Sequence, residues 1–182
     1  MLKKYLFIVT TLFVANGVFS QINTKPFVIP SIQKWDGKEG QLQLKENYII
    51  VADKNDSSAW ATAQILASDF SGLGIKSSIS PKVSKDAVTI YLKTAIDTSL
   101  KQEGYRLDIS DNIEISAPYY KGLIWGTRTL LQLIEQAKKH NTGLAKGTAI
   151  DLPQYPSRGF ILDDGRKFFS LEFLKRYIKM LS

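Results

Sequence analysis

Tyr155-Pro156-Ser157-Arg158-Gly159-Phe160-Ile161-Leu162-Asp163-Asp164-Gly165-Arg166-Lys167-Phe168-Phe169-Ser170-Leu171-Glu172-Phe173-Leu174-Lys175-Arg176-Tyr177 is the stretch on which the reading of the fold turns. Gly159 to Leu162 has the composition of a buried strand, and Asp163 to Lys167 that of a polar turn. From Ser170, a capping residue type, apolar side chains return at helical steps: Leu171, Leu174, Ile178 and Leu181 share one face. A strand–turn–helix unit of this kind opens a barrel in which strands and helices alternate. Such a barrel takes about 250 residues. The segment from Pro153 to Ser182 holds one unit of it.

Working back from that stretch, Gly143 to Pro153 reads as a linker, and everything from Gln21 to Leu152 as a separate domain. Gln21 to Gly40 is an irregular lead-in with Pro26 and Pro30. Tyr48 to Ala52 is a β-branched apolar run and reads as a strand. Asp56, Ser57 and Ser58 are N-cap types for the helix that follows, in which Ala59, Ala63, Leu66 and Phe70 fall on one face. Gly72 and Gly74 stop it. Ile75 to Ile79 reads as a strand. Val88, Ile90 and Leu92 alternate with Thr89, Tyr91 and Lys93, the period of a half-buried strand. Tyr105 to Ile109 and Ile113 to Ile115 alternate in the same way around an Asp111-Asn112 turn, which marks a hairpin. Leu123, Thr127, Leu130 and Ile134 define a second helix face, closed by Lys138, Lys139 and His140 where cations suit the helix dipole. The expected fold class is α+β: a mostly antiparallel sheet with two helices on one face, followed by the first strand and helix of a (β/α)8 barrel.

Residues 1–20 read as a signal peptide rather than as part of the fold. Lys3 and Lys4 form a basic start, Tyr5 to Ala15 an apolar stretch too short to span a bilayer comfortably, and cleavage is expected after Ser20. The chain is therefore expected to be exported, to a periplasmic or extracellular location, with no stable membrane span. The chain has no cysteine, which excludes a lipoprotein anchor and disulfides; a packed core must hold the fold. Of the formal charge of +7, the leader supplies two units. The remainder is spread along the chain and interleaved with acids, the pattern of a solvated surface rather than of a nucleic-acid stripe.

On these residues the chain resembles glycoside hydrolase family 20, the β-N-acetylhexosaminidases. Ile29-Pro30-Ser31-Ile32-Gln33 is similar to the entry of that family's accessory domain. Glu103-Gly104-Tyr105-Arg106-Leu107 with Ile113-Glu114-Ile115 is similar to its hairpin, and Tyr120 to Leu133 to its second helix. Asp151-Leu152-Pro153, Arg158-Gly159, Leu162-Asp163 and Arg166 are similar to the opening of its catalytic barrel. The run departs from the family at Gly165 and Lys167, where a serine and a histidine are usual. The resemblance implies that Arg158 binds hydroxyls of a terminal sugar, as a planar guanidinium with several fixed donors is suited to do. Asp163, Asp164 and Arg166 are candidates to support it; the plain alternative is an ion pair between Arg158 and Asp163 or Asp164.

The resemblance also implies a substrate-assisted mechanism, in which the sugar's own acetamido oxygen replaces an enzyme nucleophile and an Asp-Glu pair assists it. No Asp-Glu dipeptide occurs in these 182 residues, so no catalytic residue is assigned and the chain alone is expected to be inactive. No cofactor or metal is implied. His140 reads as a helix-end residue, Trp60 and Trp125 as core, and Trp35 as either core or sugar platform. The partners implied are N-acetylhexosamine-containing glycans, with no nucleic acid. The rival expectation is a non-catalytic module that binds a glycan or a protein partner.

Overall fold

The computed structural model describes residues 21–181; the expected leader, residues 1–20, lies outside them. The chain divides into two compact units, one ending at Leu152 and one beginning at Pro153.

The first unit is one seven-stranded sheet carrying two helices. In chain order it comprises β1 (Lys34–Leu42), β2 (Asn47–Ala52), α1 (Ser57–Gly72), β3 (Lys76–Ile79), β4 (Ala87–Thr94), β5 (Tyr105–Ile109), β6 (Ile113–Ala117), α2 (Tyr120–His140) and β7 (Leu144–Asp151). Across the sheet the order is β1-β7-β5-β6-β4-β2-β3. The expected hairpin is β5–β6, in register Ile109 opposite Ile113.

Three expectations are corrected. The sheet is not mostly antiparallel: β3, β2, β4 and β6 run parallel, while β1, β7, β5 and β6 alternate. The supposed linker is largely β7, an interior strand between β1 and β5. The second half of the irregular lead-in is β1, an edge strand. Neither segment alternates cleanly in sequence. β7 carries Ala145, Gly147 and Ala149 where larger apolar residues would be legible, and β1 is rich in charge. The small residues make room: a Cβ on Gly147 would lie 2.3 Å from the Trp35 ring. The charges suit an edge, which must not pair with a further strand.

The register of β1 against β7 shifts between Gly37 and Gln41, where Gly40 takes a positive φ of 79°. Asn23 fills that irregularity, its side-chain amide donating to the carbonyls of Lys38 (2.5 Å) and Gly40 (2.6 Å). The lead-in thus satisfies carbonyls that the bulge takes out of the ladder.

Both helices cover the same face. Tyr48 on β2 lies with its ring 5.1 Å from Phe70 of α1. The same face continues through Ile90 and Ile113 to Tyr105 and Leu107, under α2. Gly126 lets α2 come down on it, since a Cβ there would meet Ile115 Cγ2 at 2.5 Å. Arg128 pairs with Asp69 at 2.5 Å, joining the helices. The crossover β2-α1-β3 moves toward one edge and β6-α2-β7 toward the other, from parallel strands and over one face. The two crossovers therefore have opposite hands, although such connections are right-handed in about 98% of cases.

The second unit contains α3 (Leu171–Leu181), whose first turn is capped by Ser170 Oγ accepting from Phe173 N at 3.2 Å. The expected strand Gly159–Leu162 is absent: no segment among the described residues pairs with it, and a strand exists only through its ladder. The expected face of α3 is also revised. Leu171 and Ile178 are 67% and 65% exposed, and the side chain of Leu181 lies outside the described residues. The ordered face is aromatic: Phe169 stacks on Phe173 (4.9 Å), Phe173 on Tyr177 (5.8 Å), and Phe160 tilts against Tyr177 (5.3 Å). Phe169, Phe173 and Tyr177 recur every four residues, a signal available in the sequence.

Candidate functional site

Of the residues singled out for sugar binding, Asp163, Asp164 and Arg166 sit in the polar turn ahead of α3, and Arg158 precedes the Gly159–Leu162 segment that leads into it. Arg158 is exposed, and its Nη1 donates to the carbonyl of Tyr155 at 2.7 Å. That bond spans three residues and folds the guanidinium back over its own segment.

Asp163 organises the turn. Its Oδ1 accepts the backbone amides of Gly165 (3.0 Å) and Arg166 (3.2 Å), and its Oδ2 pairs with Arg166 Nε at 3.0 Å. An aspartate that collects the next amides is a standard turn device. Asp164 accepts the amide of Phe169 at 2.9 Å and ties the end of the turn to the start of α3. The two adjacent carboxylates thus do separate jobs, each on backbone amides of the turn. Arg166 is 90% exposed at its side chain, so its pair with Asp163 is a surface pair of small energetic weight.

No catalytic constellation accompanies the turn. Among the described residues no three His, Asp or Glu side chains gather as a metal site. His140 is exposed in the last turn of α2, followed by Asn141 in the left-handed conformation that ends the helix. Trp35 belongs to the sheet: it packs against the core, and its indole N–H donates to the Asn23 carbonyl at 3.0 Å. Trp125 is partly buried against the core. Trp60 is half-buried, with Lys54 Nζ 5.3 Å from its ring. Two surface clefts, of about 290 and 440 Å³, lie at the start of β2. The first is lined by Lys76 and Asp86 and the second by three lysines and Glu46, so neither pairs two carboxylates. No helix among the described residues is long and apolar enough to cross a membrane.

Comparison with known proteins places this arrangement. Residues 25–152 match the domain described as "Glycosyl hydrolase family 20, domain 2". A Beta-hexosaminidase of Porphyromonas gingivalis is 31% identical over 147 residues, covering 77% of this chain and 17% of its own length. A Beta-hexosaminidase of Akkermansia muciniphila is 31% identical over 85 residues, covering 46% of this chain and again 17% of its own. Among solved structures, a mutant Streptomyces plicatus beta-hexosaminidase in complex with product (GlcNAc) superposes with a TM-score of 0.70 at 27% identity. That match covers 88% of this chain and 33% of the Streptomyces chain. The chain therefore spans about a sixth of these curated relatives and a third of that structure.

Proposed function

The chain belongs to glycosyl hydrolase family 20, and from that premise we propose that it is the N-terminal portion of an exported β-N-acetylhexosaminidase. Residues 21–152 are the accessory domain, and Pro153 to Ser182 begin the catalytic barrel. The match of residues 25–152 to a domain of this family carries the reading. The substrates are glycans with terminal N-acetylglucosamine or N-acetylgalactosamine.

The mechanism is substrate-assisted. The 2-acetamido oxygen attacks the anomeric carbon as the glycosidic bond breaks. The Asp of an Asp-Glu pair orients the acetamido group, while the Glu, as a carboxylic acid, gives its proton to the leaving oxygen and then, as a carboxylate, takes one from the attacking water. That pair is not among these 182 residues. Arg158 supplies sugar-hydroxyl hydrogen bonds; Asp163, Asp164 and Arg166 hold the turn that follows its segment. The purified 182-residue chain is expected to release no chromogenic aglycone from an N-acetylglucosaminide. Turnover by it that disappears in Arg158→Ala would overturn the reading. In an enzyme continuing into the barrel, Arg158→Ala is expected to lower kcat/KM by about tenfold to a hundredfold, the value of hydrogen bonds from a charged donor.

A second reading, a non-catalytic glycan- or partner-binding module, draws support from the self-contained core of the first unit, which holds every buried apolar residue among the described ones, between Val28 and Ala149. Calorimetric titration of residues 21–152 with N-acetylglucosamine oligomers separates the two: the enzyme reading expects no binding by this unit alone.

A further inference from the structure

The first and last strands of the sheet meet at one carboxylate. Asp151 is the last residue of β7, and its Oδ1 accepts the backbone amide of Gln33, just ahead of β1, at 3.1 Å. The Gln33 side chain reaches back to the carbonyl of Leu152. Asp151 Oδ2 accepts from the Tyr105 hydroxyl at 3.3 Å, and that hydroxyl shares a 2.6 Å hydrogen bond with Thr129 of α2. Tyr105 is only 2% exposed. One side chain therefore connects the lead-in, β5 and β7 directly, and α2 through Tyr105.

The charged and titratable groups facing it are few. Lys25 of the lead-in acts on it through space, while its own ammonium group donates to the Ile32 carbonyl at 3.1 Å. Tyr105 faces it from β5; α2 contributes the neutral Thr129. Asp151 has no ion pair among the described residues. A half-buried carboxylate without a counter-ion costs the fold more than an amide of the same shape would. What the carboxylate adds is titration.

We propose that Asp151 is a positioning residue, whose carboxylate pins the exit of the sheet unit to its entry and so fixes the point from which the chain departs for Arg158, seven residues on. Its consequence for the enzyme rests on the reading of Arg158 as a sugar ligand; its geometry does not. Burial pushes the Asp151 pKa up, against the amide of Gln33 and the hydroxyl of Tyr105. A raised carboxylate pKa means that the closed arrangement holds the proton more tightly than the opened one. Acidification through the upper carboxylate range therefore tightens the pin, and a rise in pH through that range loosens it.

The test is amide hydrogen exchange of the 182-residue chain from about pH 4 to about pH 7, corrected for intrinsic rates, in wild type and Asp151→Asn. The asparagine keeps an acceptor oxygen and removes the titration. In wild type, protection of the Gln33 amide is expected to rise several-fold on acidification. In Asp151→Asn it is expected to stay flat, while interior amides of β4 and β6 behave alike in both. Equal pH dependence in the two proteins, or a freely exchanging Gln33 amide in wild type, overturns the proposal. Carbon-detected NMR titration of the Asp151 carboxyl in wild type needs no variant; a midpoint at or below the ordinary aspartate value overturns it independently. Neither readout involves a sugar, so failure of the pin and failure of Arg158 as a ligand are told apart.

Discussion

Helices α1 and α3 are both two-faced, and α3 is the more sharply so. Yet Ala59, Ala63, Leu66 and Phe70 of α1 are fully buried, whereas Leu171, Ile178 and Met180 of α3 are 65% exposed or more. An amphipathic pattern states that a helix needs an apolar neighbour; it does not supply one. α1 lies on a sheet whose strands present Tyr48, Ile50 and Ile90 to it. Among the described residues of its own unit, α3 packs in the aromatic ladder of Phe160, Phe169, Phe173 and Tyr177, and the ring face differs from the aliphatic one.

That contrast is sharpest in paired substitutions of the same residue type. Phe70→Ala is expected to destabilise the chain by about 3–5 kcal/mol, the usual loss for a buried phenylalanine. Phe168→Ala, at a ring 84% exposed, is expected to change stability by about 0.5 kcal/mol or less. Denaturant unfolding followed by circular dichroism measures both. Similar losses from the two would dissolve the distinction between the units.

A smaller effect separates the helix starts. Asp56 caps α1 by accepting the Ala59 amide at 3.0 Å, and its other oxygen takes the amide and hydroxyl of Thr94 at 2.8 and 2.7 Å. Asp56→Ala is expected to cost about 1–2 kcal/mol. Burial alone would push the Asp56 pKa up, but the Ala59 and Thr94 bonds outweigh it and the net shift is downward. Its stabilisation is thus present above the ordinary aspartate range and lost as the pH falls through the lowered value, the opposite sign to Asp151. Stability curves of Asp56→Asn and Asp151→Asn against pH are expected to diverge from wild type in opposite directions. Parallel curves would remove the argument. Ser170→Ala, capping a helix with little packed against it in its own unit, is expected to leave global unfolding unmoved.

The smallest expected effect is on the melting temperature when residues 153–182 are removed. The sheet unit holds all the buried apolar side chains among the described residues, so its cooperative transition is expected to persist nearly unchanged. Solubility is expected to rise, because Ile161 (93% exposed), Phe168, Ile178 and Met180 go with the tail. Loss of a cooperative transition in residues 21–152, or unchanged light scattering at high concentration, would count against this division.

Much of this fold was legible. The faces of α1 and α2, the β5–β6 hairpin and strand β4 follow from local period, while β2 was read from a short apolar run and β3 from the segment Ile75 to Ile79. What escaped were β1 and β7, whose alternation is hidden by Gly37, Gly40 and Gly147 and by the charges of an edge strand. The absence of Gly159–Leu162 as a strand has the converse cause: composition favours extension, but only a partner makes a ladder. At the candidate site, Asp163 and Arg166 stand in one short turn and their proximity was readable from spacing. That Asp163 takes Arg166 and the turn amides, while Asp164 takes the Phe169 amide, was not.

By itself the sequence determined the periodic elements, the cap at Ser170, a choice of Asp56, Ser57 or Ser58 for the cap of α1, and the family to which residues 25–152 belong. These depend on side-chain geometry within a few residues, or on a pattern carried whole along the chain. Only the tertiary structure decided that half of the sheet is parallel, that its two crossovers have opposite hands, and that Asp151 meets Gln33 across 118 positions. Those outcomes depend on which distant segments satisfy one another's backbone and apolar faces, and no local period records that choice.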